Sequence, residues 1–537
     1  MRKFIVAAAA ALFASQAAAQ TPPPPKLLVV ISVDQFSADL FDEYRPQFTG
    51  GLARLASGAV FRNGYQSHAN TETCPGHSTI LTGDRPSRTG IIGNTWIDQS
   101  LSRPDKTVYC AEDASEPASS SKHYKVSPVN LRVPTLGELM KARWPQSRNV
   151  AVAGKDRAAV MMSGHRADQR WYWDGKAFVT DLSGAPVPAS SAAINAATAR
   201  ELAAPAAPLQ PTPFCSAKAQ PITVEGHAPV GAGAFSRAAV DVDAFEASPE
   251  FDGSILATAA ALVREMRLGQ GSSPDVLSVG LSATDYVGHR YGTEGQEMCL
   301  QLMSLDWDIG DFLKFLDSTG VDYAVVLTAD HGGQDLPERL RLHGVADAQR
   351  VDSALAASTM GKAIGGKLGL TGPVLLGDVS GDMYIDASLP TADRARVLSE
   401  AVRTYRAHPQ VAAVFTHDEL ARTPMPTTSP DKWSLIERAR ASFDPQRSGD
   451  FVVLLKEHVT PIGHVTKSVA THSTPWDYDR RVPILFWRPG FQGRTVETPA
   501  ETVDIMPTLA GMIGLPIPTG SIDGRCLEGT PAICQIR

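Results

Sequence analysis

With 537 residues, 43% of them hydrophobic and 20% charged, the chain has an ordinary globular composition and can bury a large core. Its net charge of −7 excludes any general electrostatic attraction for nucleic acid or anionic membranes. Any phosphate it handles must be held by local groups.

The N-terminus carries Arg2 and Lys3, an apolar run from Phe4 to Phe13 and the small residues Ala17 to Ala19. This pattern predicts a secretory signal peptide over residues 1–19. Removing it takes away Arg2 and Lys3 and no acidic residue, so −7 becomes −9. The apolar run is too short to span a bilayer, and no later stretch is long enough. No cysteine lies near Ala19, so no membrane anchor is expected, and the protein is expected to be periplasmic or secreted. The six cysteines, Cys74, Cys110, Cys215, Cys299, Cys526 and Cys534, are an even set that predicts disulfides in an exported chain. Cys526 and Cys534, close in sequence, make the safest pair.

Residues 20–26, with four prolines, read as a tether. Leu27 to Val33 is an unbroken apolar, β-branched run, as expected for a strand buried on both faces. It ends at Asp34. In open parallel sheets, sites form beyond the carboxyl ends of the strands, so Asp34 is placed for chemistry, unless it only caps the next helix. Residues 48–60 carry apolar residues at helical spacing and lead into a turn and strand at Phe61 to Tyr65.

Thr71 to Gly83 then reads as a loop delivering a hydroxyl to a helix start. Pro75 suits the first helical position and Gly83 the stop. Thr73 would sit just outside the positive end of the helix, where unpaired N–H groups favour an anion. It is either a nucleophile or a simple N-cap. Beyond it, Asn94 follows Gly93 in an apolar context, where its amide can donate to an oxyanion or merely shape a turn.

Residues 98–131 are polar and irregular, and read as an insertion over the core. A helix is expected over 133–142 and another buried strand over Asn149 to Gly154. That strand ends in Lys155-Asp156-Arg157, two cations on alternate residues that either point to one side or form a solvated cluster. Residues 168–249, rich in Ala, Pro and Ser, read as a second insertion. Ser254 to Leu268 is an amphipathic helix.

Asp275 to Leu281 is a third buried strand, running into Asp285 and His289, and a helix is expected over 296–316. Tyr323 to Thr328 is a fourth strand, ending in Asp330-His331-Gly332-Gly333. Residues 342–447 contain short strand and helix patterns with their own turns, a candidate inserted subdomain. Phe451 to Leu455 is one more strand. His472 falls in a polar turn before the last strand, Val482 to Trp487. Buried strands alternating with helices imply an α/β fold with a mainly parallel sheet.

Asp34, Asp285, His289, Asp330, His331 and His472 each lie just past a core strand or in a polar turn beside one. A parallel sheet could gather them at one edge. Three carboxylates and three imidazoles with no thiolate suit two divalent ions of zinc type. Such a pair can clamp the entering and leaving oxygens of a phosphoryl transfer.

Taken in order, these motifs resemble the alkaline phosphatase superfamily, and most nearly its secreted bacterial monoesterase branch, the PafA-like alkaline phosphatases. They are the strand ending in Asp34, Thr73-Cys74-Pro75-Gly76-His77, Gly93-Asn94, Gly154-Lys155-Asp156-Arg157, Asp285 with His289, Asp330-His331-Gly332-Gly333, and His472. The resemblance runs from about Leu27 to Arg525. It implies one three-layer catalytic domain over 27–537, with helices on both faces of the sheet and the three insertions as cap segments.

It further implies two Zn2+ per chain. One would be held by Asp285, His289 and His472, the other by Asp34, Asp330 and His331 with the Thr73 oxygen. Thr73 would be the nucleophile, forming a phosphothreonine that water hydrolyses. Asn94, Lys155 and Arg157 would bind the phosphoryl oxygens of small phosphate monoesters, in an enzyme expected to be a monomer of broad specificity. One departure is visible: Ser473 follows His472 where many relatives carry Gly.

A sulfatase reading fails, because Pro75 directly follows Cys74 and no Arg lies at the required place. Nucleotide pyrophosphatase/phosphodiesterases share the ligands, the Thr and an Asn, but generally lack the Lys-x-Arg pair. They are the alternative. A binding protein with a dead site is disfavoured by the complete set of residues.

Overall fold

The computed structural model describes residues 23–231 and 233–534. The signal peptide expected over 1–19 lies outside these residues, as do Gln20 to Pro22 of the tether. Along the chain, the core strands are β1 (Leu27–Val33), β2 (Ala59–Tyr65), β3 (Asn149–Ala153), β4 (Gln169–Trp173), β5 (Asp275–Leu281), β6 (Tyr323–Thr328) and β7 (Arg481–Trp487). They stand in the order β2-β7-β6-β1-β5-β3-β4 within a ten-stranded sheet. β6, β1, β5, β3 and β4 run parallel, whereas β7 is antiparallel to both its neighbours, β6 and β2.

β1 is central and wholly buried, and its pleat sends alternate side chains into two different cores. Leu27, Val29, Ile31 and Val33 pack with the helices Pro249–Met266 and Gln296–Ser318. Leu28 and Val30 pack on the other face with Ile80 and Leu81 of helix Thr73–Thr82 and Leu509 of helix Ile505–Met512. Both faces of the sheet are therefore covered, which is why its parallel strands read as continuous apolar runs. The architecture is the expected three-layer α/β sandwich.

Register positions the site. Ser32 pairs with Gly280 of β5 and Thr328 of β6, and Gly280 pairs with Ala153 of β3. Four neighbouring parallel strands thus end level. Two residues further along, Asp34, Asp330, Lys155 and Ser282 emerge side by side at one carboxyl edge, where such sheets build their sites.

Two stretches differ from the expectations of the sequence. Gln169–Trp173, inside the Ala/Pro/Ser-rich stretch 168–249, is β4 of the main sheet and pairs in parallel with β3. Its Trp171 and Trp173 are buried, but five residues with Gln and Arg in front carry little periodic signal. Residues 48–60 hold only a short helix, Gly51–Leu55, before β2 begins.

Phe451–Leu455 joins no core strand. It pairs antiparallel with Gly381–Ile385 and Val411–Thr416 in a four-stranded sheet with its own buried cluster. All six cysteines are paired, as Cys74–Cys110, Cys215–Cys299 and Cys526–Cys534. No helix among the described residues is long and apolar enough to cross a membrane.

Candidate active site

Helix Thr73–Thr82 begins at Thr73 itself, with Glu72 as its N-cap and Gly83 closing it in a left-handed conformation. Thr73 is therefore not a capping residue, and Pro75 falls third rather than first. Proline is still tolerated there, because first-turn N–H groups lack helical partners in any case. The helix lies hard against β6's exit: a Cβ on Gly76 would stand 2.0 Å from the Asp330 carbonyl oxygen. Only glycine lets the first turn of this helix come so near Asp330.

Asp285 and His289 lie one turn apart on helix Ala283–Tyr291, which starts directly after β5, so both face the same side. Potential ligand atoms of Asp285, His289 and His472 lie within 4.8 Å of one another. His289 Nε2 and His472 Nε2 stand 3.3 and 3.5 Å from Asp285 Oδ1. Their other nitrogens meet backbone carbonyls, His289 Nδ1 at Ala470 (2.9 Å) and His472 Nδ1 at Thr71 (2.7 Å). A proton on each Nδ1 leaves the Nε2 lone pair free for an ion.

The second group is Asp34, Asp330 and His77, again within 4.8 Å. His77 lies one turn after Thr73 and stands 3.4 Å from Asp34 and 3.3 Å from Asp330. The motif that contains it assigns it no role. His331, expected here, has Nε2 3.2 Å from Asp330 Oδ2, Nδ1 2.8 Å from the Gly332 carbonyl, and its ring stacked 3.7 Å from that of His472. It thus stands between the two groups.

Both oxygens of Asp34, Asp285 Oδ1, Asp330 Oδ2, His77 Nε2 and His331 Nε2 are buried without a hydrogen bond among the described residues. Orphaned acceptors converging at one place fit divalent cations.

Lys155 and Arg157 take different stations. Lys155 is buried between the two groups, with Nζ 3.0 Å from Asp34 and donating to Asp285 at 2.5 Å. Burial pulls the Asp34 carboxyl upward, but Lys155 and then His77 outweigh it and hold it at about 2. Burial also opposes ionisation of Asp285, yet His289 and Lys155 keep it well below the usual carboxylate range. Burial and the neighbouring His331 drive His472 well below an ordinary histidine, so its imidazole is neutral.

Arg157 has no ion pair among the described residues. Its Nη1 donates to the Tyr109 hydroxyl at 3.4 Å, and its buried Nε has no partner. Asp156 accepts instead from the hydroxyls of Tyr109 (2.7 Å) and Tyr124 (2.8 Å), so the neighbouring carboxylate does not neutralise the guanidinium by direct contact.

Asn94 is fixed from both sides. Its backbone N–H donates to Glu72 (2.5 Å), and its Oδ1 accepts from the Cys74 N–H (2.8 Å). Since the oxygen faces a donor, the NH2 end is free to donate. Disulfide Cys74–Cys110 ties the residue after Thr73 to the residue after Tyr109. Tyr109 and Tyr124 lie inside the irregular stretch 98–131, which carries no local signal for their contacts with Arg157 and Asp156.

Residues 28–477 match the family described as type I phosphodiesterase / nucleotide pyrophosphatase. Over 504 residues the chain is 55% identical to alkaline phosphatase PhoK of a Sphingomonas species, covering 93% of this chain and 90% of that one. The chain belongs to the alkaline phosphatase superfamily. It is a PafA-like member. Similarity to alkaline phosphatase PhoD of Zymomonas mobilis is 48% over 506 residues, covering 93% and 87% of the two chains. The crystal structure of wild-type alkaline phosphatase PafA superposes with a TM-score of 0.80 at 25% identity, over 93% of this chain and 98% of that one. As a superfamily member the chain is a hydrolase.

Ser473 has φ of +79°, the left-handed region in which a side chain is strained. Its hydroxyl returns two long contacts, a hydrogen bond donated to Glu72 at 3.3 Å and an approach to His472 Nδ1 at 3.3 Å. Ser473→Gly is expected to stabilise the fold by about 0.5–1 kcal/mol, and Ser473→Val to destabilise it by more than about 1 kcal/mol. Thermal unfolding of the two variants beside wild type measures this, and a Val variant as stable as the Gly variant would contradict it.

Proposed function

We propose that the protein is an exported, broad-specificity alkaline phosphatase that hydrolyses phosphate monoesters through a phosphothreonine at Thr73. The observation that carries the reading is the arrangement around Thr73. The helix that starts at Thr73 carries His77 against Asp34 and Asp330 of one group of buried, unsatisfied ligand atoms. Thr71, just before Thr73, meets His472 of the other group, and the Cys74 N–H just after Thr73 holds Asn94 with its amide donor free. The alkaline phosphatase names of the relatives PhoK and PhoD support it. Three disulfides suit an oxidising compartment and support export.

Asp285, His289 and His472 would hold one zinc ion, and Asp34, Asp330, His331 and the Thr73 oxygen the other. Bound there, the ions would offset the buried carboxylates and lower the pKa of the Thr73 hydroxyl. The remaining work falls to the chain. Asn94 Nδ2 and the Arg157 guanidinium donate to non-bridging phosphoryl oxygens, whose charge must be met by fixed donors in transit. Lys155 adds positive charge at the same edge. His77, whose proton affinity burial lowers but Asp330 and Asp34 raise further, keeps Asp34 and Asp330 apart and oriented.

The alternative within the superfamily is the phosphodiesterase activity that the matched family's description names. Arg157 favours the monoesterase, because a monoester presents a third charged oxygen where a diester carries its second substituent, and a guanidinium can contact two oxygens at once.

Metal analysis of the purified enzyme is expected to give about two zinc equivalents per chain. Stripping them with a chelator should abolish activity and lower Tm; full activity after complete removal would refute the two-ion reading. Thr73→Ala is expected to lose several orders of magnitude in kcat while retaining fold and metal content, and Thr73→Ser to keep appreciable activity. A Thr73→Ala enzyme within tenfold of wild type would mean direct attack by water.

The third test concerns substrate class, and Arg157→Ala is the cleaner variant because Lys155 also braces Asp34 and Asp285. The change should cost about 3–4 kcal/mol, or roughly 10²–10³-fold in kcat/KM, on p-nitrophenyl phosphate. Bis-p-nitrophenyl phosphate should lose less than tenfold. Equal losses on both would count against the monoesterase.

A further inference from the structure

A cavity of about 470 Å³ is lined by Glu72, the residue before Thr73, and by His472 on one side and by the loop Gly377–Gly381 on the other. That loop connects two strands of the separate four-stranded sheet, Leu375–Leu376 and Gly381–Ile385. The far wall is thus built by a different part of the chain from the one that binds phosphate. A phosphoryl group held at Thr73, Asn94 and Arg157 leaves its alcohol to be accommodated alongside, and a volume of this size takes a polyol, an amino alcohol or a sugar.

The charge on the wall is one-sided. Glu72, Asp378 and Asp382 line the cavity, and no lysine or arginine does. Asp378 is exposed on the loop, its Oδ1 accepting from the Val379 N–H. Asp382 accepts from the Gly449 N–H at 2.7 Å, and burial pushes its carboxyl up to about 6, so it is ionised at alkaline pH. Neutral donors and acceptors fill out the surface, among them Thr95, Thr107 and Ser380. The active site is therefore bipolar, cationic where the phosphoryl group sits and anionic where the alcohol must lie.

We infer that the wall carrying Asp378 and Asp382 selects the leaving group by charge, so that monoesters of neutral or cationic alcohols are preferred over those with a second anionic group. The inference rests on the monoesterase reading of the same site. Each carboxylate about 8 Å from an anionic substituent in a solvent-like dielectric disfavours it roughly 2.4-fold. The Asp378 and Asp382 pair together reaches about sixfold at low salt, and screening shrinks this.

The test compares kcat/KM for choline phosphate, glycerol 3-phosphate and 3-phosphoglycerate on the zinc-loaded enzyme at pH 8.5. The last two differ mainly by a hydroxymethyl against a carboxylate. At low ionic strength the first two are expected to exceed 3-phosphoglycerate about fivefold or more, with the gap narrowing in 0.5 M salt. Asp378→Lys should shrink the ratio of glycerol 3-phosphate to 3-phosphoglycerate about fivefold or more, and Asp378→Asn by about two- to threefold. If the lysine variant misfolds, the asparagine variant decides.

Equal rates on glycerol 3-phosphate and 3-phosphoglycerate, or a ratio unmoved in the Asp378 variants, would overturn the inference. p-Nitrophenyl phosphate separates the two failures. A wild type that cleaves it without discriminating by charge overturns this inference alone, and one that does not cleave it overturns the monoesterase reading as well.

Discussion

Three carboxylates, Asp34, Asp285 and Asp330, are brought together within the buried carboxyl edge of one sheet. Like charges so placed repel, and each has left water at a cost of several kcal/mol. The local structure answers that problem. Lys155 stands between Asp34 and Asp285, His77 between Asp34 and Asp330, and His289 and His472 against Asp285. Even so, several carboxylate and imidazole atoms remain without partners. Protein cations alone leave the site incompletely satisfied, and that residual demand gives it affinity for divalent ions.

Around this centre the donors are aimed by contacts that never touch substrate. Glu72 and the Cys74 N–H grip Asn94 from two directions. Tyr109 and Tyr124 occupy Asp156, which would otherwise be available to pair with Arg157. Tyr109 ends the short strand Thr107–Tyr109 and is followed by Cys110, which is bonded to the residue after Thr73, so this strand is tied to both Thr73 and Arg157. Stretch 98–131, irregular by composition, is thus a brace for the reaction centre.

Much of this was legible in the sequence, for a definite reason. Strands buried on both faces must be apolar throughout, so β1, β3, β5 and β6 announce themselves, and each hands over to a polar residue at its end. The Asp34, Lys155 and Asp330 positions follow directly. The features that were not legible depended on long-range contacts. β4 is short and aromatic, and its burial comes from neighbours such as Phe251 and Phe245 on distant helices. Cys74–Cys110 and Cys215–Cys299 could not be paired from spacing, because topology decides which sulfurs meet. His77 was visible in its motif, but only the fold shows it wedged between two acids contributed by different strands. The left-handed φ of Ser473, beside His472, was likewise invisible until the backbone was seen.

The level ending of β3, β5, β1 and β6 divides the chain into parts that can change length and parts that cannot. One residue inserted within β1 would advance Asp34 by about 3.3 Å and turn every side chain beyond it to the opposite face. Both halves of the metal-binding edge would then lose register with each other. The same residue added to the loop Gly377–Gly381 would cost only a small increment of loop-closure entropy. The scaffold thus keeps the residues of its candidate site on a rigid ruler and leaves changes of length to a loop outside the main sheet.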